Sequence, residues 1–149
     1  MSDTIHFTQT AGIATLTFNN PQRRNALGAA ELDAIERGLS SLDEDTRALL
    51  ITSSDDRVFC AGADLNQILD GSLSGDRFQS VTNTIAALPI PSIAALSGNV
   101  FGGGAELALS CDFRLAREDI VLRIPAAAIG LCYPVEGIER ITRRLGPSI

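Results

Sequence analysis

The chain has 149 residues, 45% hydrophobic and 20% charged, enough for one globular domain that buries roughly two-thirds of its unfolded surface. No apolar stretch reaches the ~18–20 residues of a membrane span, the start MSDTIHFTQT is too polar for a secretory signal, and a net charge of −6 offers no basic field to nucleic acid. All twelve basic residues are Arg, which excludes Schiff-base chemistry and a lysine-bearing phosphate loop. A soluble, cytoplasmic protein is expected, a single domain over 1–149, with no membrane or nucleic-acid partner.

The segment TIHFTQTAGIATLTFNN alternates apolar and polar residues on both sides of Ala11-Gly12, which predicts a hairpin. PQRRNAL follows as a connector. Between Gly28 and Leu42, Leu32, Ile35, Leu39 and Leu42 fall on one face of an amphipathic helix. RALLITS (47–53) reads as a buried strand. SDDRVFCAGADLNQIL then runs turn, strand, turn, helix, and DGSLSGD (70–76) is a polar loop. A helix is predicted from Arg77 to Leu88, stopped by Pro89 and Pro91. PSIAALSGN is another buried strand, and residues 99–112 follow it as a helix. DFRLA and IVLRIP read as two short strands, and a last helix runs from near Glu136 to Leu145. Strands alternating with helices predict an α/β fold of right-handed crossover units.

Cys60, Cys111 and Cys132 stand singly, which argues against a disulfide framework or a zinc site and predicts buried free thiols. His6 is the one histidine and lies in a strand-like run, a poor setting for Ser-His-Asp or Cys-His chemistry. A hydrolase with a Cys60 or Cys132 nucleophile is disfavoured because nothing nearby in sequence would activate either thiol.

Two segments share one grammar. VFCAGADL and NVFGGGAEL each pass from a strand end through small residues into a helix. Small residues let a ligand approach the backbone, and a helix start presents unpaired N–H groups at the positive end of its dipole. Taken singly, either turn reads as a plain helix entry. Two such donors from different strands would make an oxyanion hole. The run Gly102-Gly103-Gly104 is not a dinucleotide fingerprint, and the acidic residue after it comes too soon for a ribose contact.

With these motifs in order, the chain resembles the enoyl-CoA hydratase/isomerase (crotonase) superfamily. NNPQRRNAL is similar to the family's N-P-x-x-x-N-A-L segment and VFCAGADL to its F-x-A-G-A-D-L turn. IAALSGNVFGGGAELALSCDFRLA resembles the segment that carries a first catalytic glutamate. RIPAAAIGLCYPVEGIERITRRLG resembles the stretch that carries a second catalytic position. The resemblance implies a spiral of repeated ββα units that binds acyl-CoA thioesters in fatty-acid or related metabolism. It implies an oxyanion hole from the backbone N–H groups of Ala63 and Gly103, and Glu106 as acid and base. It places Arg23, Arg24, Ala26, Ala61 and Asp64 around the coenzyme A pocket. An Arg there would add a charge-assisted bond to a phosphate. A solvated loop charge is the alternative for Arg23 and Arg24, and a helix N-cap the alternative for Asp64. No cofactor is implied, since coenzyme A is part of the substrate. Partial burial against an apolar wall would suit Glu106 to proton transfer.

The sequence departs from the family at two points. Residue 126, where the second glutamate belongs, is Ala, and Pro134 occupies the position where many isomerases and dehalogenases of the superfamily place an acid. Glu136 lies two residues on and reads as a helix-start glutamate in the dipole field, with a place in the site as the alternative. One base with an oxyanion hole still permits double-bond isomerisation or slow hydration. The alternative is an acyl-CoA-binding protein of this fold with weak or no turnover. Second, the helical C-terminal part that builds the family's homotrimer or hexamer is expected to be absent from this chain.

Overall fold

The computed structural model describes residues 3–147, so the outermost ends of the single domain expected over 1–149 lie outside the described residues. Ile5–Thr10 (β1) and Ile13–Phe18 (β2) pair antiparallel. Ala11 and Gly12 between them take φ of 53° and 76°, the left-handed pair of a tight hairpin turn that follows the strand twist. A 3₁₀ turn at Pro21–Arg23 leads to α1 (Ala29–Ser40), which buries Leu32, Ile35 and Leu39 on the predicted face.

The rest of the described chain is built as successive units. The first contains β3 (Ala48–Ser53), β4 (Val58–Cys60), α2 (Leu65–Leu69) and α3 (Gly75–Ala86). The second contains β5 (Ser92–Leu96), β6 (Asn99–Phe101) and α4 (Gly103–Ser110). The third contains β7 (Phe113–Ala116), β8 (Leu122–Arg123), a 3₁₀ turn at Ala127–Ile129 and α5 (Val135–Leu145). The first strand of each unit joins a sheet of order β1-β2-β3-β5-β7, and the second joins a smaller sheet of order β4-β6-β8. Apart from the hairpin, all paired strands run parallel. The chain therefore winds as a spiral of ββα turns, as the fold class required. Leu16, Phe18, Leu49, Ile51, Leu32, Ile35 and Phe59 lie in one buried cluster, each such side chain contributing roughly 1.5–3 kcal/mol on burial. The Phe18 and Phe59 rings meet edge to face at 5.2 Å. Among the described residues no helix is long and apolar enough to cross a membrane.

Several sequence expectations need correction. Residues 99–101 are a strand, β6, and the helix begins only at Gly103. The helix expected from Arg77 starts at Gly75, because the Ser74 hydroxyl accepts from the Arg77 N–H at 3.3 Å and caps it. The loop at 70–76 is not wholly polar in its packing, since Leu73 is buried in the core. Cys60 and Cys111 are buried free thiols, but Cys132 is exposed.

The connector before α1 is held by Asn25, which is 1% exposed. Its Nδ2 lies 2.9–3.1 Å from Ser53 Oγ and the carbonyls of Val58 and Phe59, and its Oδ1 accepts from Asn20 N–H at 2.7 Å. Its φ of 54° is a left-handed conformation that Asn tolerates better than most residues. Replacing it by Ala strands buried polar groups and adds backbone strain. Asn25→Ala should therefore lose about 2–4 kcal/mol of unfolding free energy in urea titration. A loss below about 1 kcal/mol would refute this bracing role.

Candidate active site

The turns after β4 and β6 meet because their strands are neighbours in the small parallel sheet. Gly62 stands at φ 92°, and a Cβ there would lie 2.7 Å from the Gly103 backbone nitrogen, so only glycine allows this approach. The turn after β4 is also laced to the connector before α1. Ala61 N–H donates to the Arg24 carbonyl at 3.0 Å, Leu27 N–H to Gly62 at 2.8 Å and Asp64 N–H to Leu27 at 2.9 Å. Among the described residues, neither Ala63 N–H nor Gly103 N–H donates to a backbone oxygen.

A cavity of about 400 Å³ opens beside these turns. Ala61, Ala63, Gly103, Glu106, Ala126 and Pro134 all line it, so residues from three successive units converge on one space. Leu65, Ile68, Phe78 and Ile129 give it apolar walls. Arg23 and Asp64 form an ion pair outside this lining, and Asp64 caps α2 by accepting from Asn66 N–H at 3.0 Å. Arg24 is exposed at φ 53°, and Ala26 is half-buried in the same connector. Glu136 is exposed in the first turn of α5 and does not line the cavity.

Glu106 is 2% exposed, one turn into α4. Its surroundings correct the expectation of an apolar wall. Oε1 accepts from Gln79 Nε2 at 2.6 Å and from Arg140 Nη1 at 2.9 Å, while Oε2 accepts from the Tyr133 hydroxyl at 2.6 Å. The Thr82 hydroxyl accepts from Arg140 Nη1 at 3.2 Å and lies 3.0 Å from the Gln79 carbonyl. Gln79 is 8% exposed, and its Oε1 has no partner among the described residues. Burial, reinforced by the adjacent Glu106 carboxylate, pushes the Tyr133 phenol up, so it stays protonated at neutral pH and donates. A Cβ on Gly137 would lie 3.3 Å from Glu106 Cδ and 2.5 Å from the Tyr133 ring, so α5 crosses closely over the carboxylate. Gln79, Tyr133 and Arg140 were not legible as site residues. They are separated from Glu106 by 27 to 34 positions and carry no local motif.

The chain as a whole is similar to known proteins in sequence and in fold. Residues 8–149 match the sequence profile described as "Enoyl-CoA hydratase/isomerase". The chain is 39% identical over 145 residues to mouse "Enoyl-CoA hydratase domain-containing protein 2, mitochondrial", covering 93% of this chain and 49% of that protein. It is 35% identical over 157 residues to YngF of Bacillus subtilis, named as an enoyl-CoA hydratase/isomerase, covering 98% of this chain and 59% of that one. The crystal structure of an enoyl-CoA hydratase from Bacillus anthracis superposes with a TM-score of 0.87 at 27% identity, over 97% of this chain and 59% of that chain. The chain thus spans about half to three-fifths of the length of these relatives.

Two outcomes follow from the site's electrostatics. Removing Arg140 would leave the Glu106 charge buried without its cation, so Arg140→Ala should cost about 3–5 kcal/mol in urea unfolding. In a Glu106→Gln background most of that loss should vanish, and an equal loss in both backgrounds would disprove the coupling. Burial pushes the Cys60 and Cys111 thiols to about 12, whereas Cys132 is exposed. A thiol reagent near pH 8 should therefore modify one fast equivalent in the folded protein and three in denaturant. More than one fast equivalent in the folded protein contradicts the assignment.

Proposed function

Since the chain belongs to the enoyl-CoA hydratase/isomerase family, we propose that its cavity binds an acyl-CoA thioester and stabilises the enolate formed from it. The carrying observation is that Ala63, Gly103 and Glu106 line one cavity while both backbone N–H groups are free of backbone acceptors among the described residues. In this reading Ala63 N–H and Gly103 N–H donate to the thioester oxygen. Charge develops on that oxygen as a C–H bond breaks, and fixed donors that need no reorganisation stabilise it most. Glu106 is the acid and base, working through Oε2, since Oε1 is already held by Gln79 and Arg140. Coenzyme A enters as part of the substrate, and the reaction uses no separate cofactor.

Arg23 and Arg24 are exposed on the connector that is hydrogen-bonded to the Ala61–Asp64 turn. That location supports contacts to the CoA phosphates, with Ala26, Ala61 and Asp64 around the adenine side. Exposed Phe113, Leu115, Val135 and Ile138 leave apolar area on β7 and α5 that a further covering surface would bury.

Ala126 decides among reactions. Hydration through two glutamates needs a second carboxylate to orient water, and a methyl group offers no acceptor. Isomerisation of a double bond, which moves a proton and adds no water, is therefore the favoured chemistry. The same residue supports a second reading, thioester binding with weak turnover. Enoyl-CoAs of several chain lengths and double-bond positions, followed by ultraviolet absorbance, separate the two. Glu106→Gln should lower turnover by about 10²–10⁴-fold while thioester binding stays within about threefold. Turnover that survives this substitution would remove Glu106 from the reaction, and a wild-type protein that binds thioesters without turning any over would establish the second reading.

A further inference from the structure

We propose that the Tyr133 hydroxyl is the second proton-transfer group of the site, delivering a proton to one ligand carbon as it receives from Glu106 the proton taken from another. This rests on the reading of Glu106 as base. The geometry leaves Oε2 as the working oxygen, because Oε1 already accepts from Gln79 Nε2 and Arg140 Nη1. Oε2 accepts only from Tyr133 among the described residues, at 2.6 Å, and a carboxylate oxygen has room for one more proton donor. Tyr133 also lines the cavity and belongs to the segment after β8, where Ala126 stands in place of a second acid. Other groups of that segment fit less well. Glu136 is exposed and is not part of the cavity lining, and Cys132 lines the cavity without a bond to Glu106.

The step balances within the site. A C–H bond of the acyl chain breaks, its proton goes to Glu106 Oε2, and the electron pair passes to the thioester oxygen as the enolate. The Tyr133 O–H bond then breaks as its proton forms a new C–H bond at the second carbon with the enolate's electron pair. The phenol oxygen takes the proton held on Glu106 Oε2 in the same event. Carboxylate and neutral phenol are restored, and only the double bond has moved. Coupling the two transfers avoids a free phenolate, which this buried setting disfavours.

The test compares two reactions of the purified protein. Exchange of the α-protons of butyryl-CoA into D2O, read by mass, needs only Glu106 and the oxyanion donors. Conversion of a 3-enoyl-CoA to its 2-enoyl isomer needs delivery to a second carbon as well. Tyr133→Phe should slow isomerisation by about a hundredfold or more, with KM and α-exchange within about threefold of wild type. Isomerisation kept within about threefold overturns the proposal. So does an equal fall in both reactions, with the thermal transition intact or shifted, because Tyr133 would then act only through Glu106 or the fold. Exchange without isomerisation in the wild-type protein likewise overturns the relay alone. Exchange that survives Glu106→Gln, or is missing from wild type, instead overturns the reading on which the relay rests.

Discussion

One buried charge fixes the relation of three helices. Glu106 sits at 2% exposure on α4, and a carboxylate so placed costs several kcal/mol unless donors replace its water. The donors come from everything around it: Gln79 on α3, Arg140 on α5 and Tyr133 just before α5. Shifting any of these helices by a fraction of a hydrogen-bond length would strand the charge. Yet a buried ion pair is weak evidence for stability, since well-packed apolar residues would join the same helices at least as well. The arrangement makes better sense as a way of presenting one oxygen of a carboxylate to a cavity while the other is held still.

The position of that cavity results from the spiral. Each unit sends its second strand into the small sheet β4-β6-β8, and parallel pairing puts the C-terminal ends of these strands side by side. The segments leaving these strands therefore arrive at the same place: Ala63 after β4, Gly103 after β6 and Ala126 after β8. Backbone N–H groups can only be gathered this way if the turns are small enough to touch. Gly62, at positive φ and against the Gly103 nitrogen, is where that condition is strictest. A close approach of two backbone turns also explains why residues with almost no side chain carried most of the sequence signal.

The hairpin, α1 and both glycine turns were legible because each has a local cause: alternation, a 3.6-residue face, or small residues ahead of a helix. β6 was not, because its three residues are too few to show a period and the glycine run beside them reads as a helix entry. The start of α3 was hidden inside a polar loop, where Ser74 is a cap and Gly75 a poor helix former. Leu73 is one apolar residue among polar ones, and only the tertiary fold decides that it is buried. Asn25 lay within a recognised motif among residues assigned to the ligand, while its side chain braces β4. Gln79, Tyr133 and Arg140 belong to separate helices or loops and meet Glu106 only after the spiral closes. Polarity in a helix gives no hint of whether it faces water or a buried carboxylate.

The orientation of the Gln79 amide is a consequence of the same charge. An amide beside a carboxylate must turn its NH2 toward it, since the reverse orientation would set two acceptors against each other. Nε2 is therefore committed to Glu106, and Oε1 is carried to the other side of the amide, where no described residue donates to it. Rotating the amide would only set its oxygen against Glu106 Oε1. An apolar residue at 79 would leave Oε1 of Glu106 to Arg140 Nη1 at 2.9 Å and the Thr82 hydroxyl at 3.4 Å. Restraint of the carboxylate and satisfaction of the amide compete at this point, and the structure favours the carboxylate.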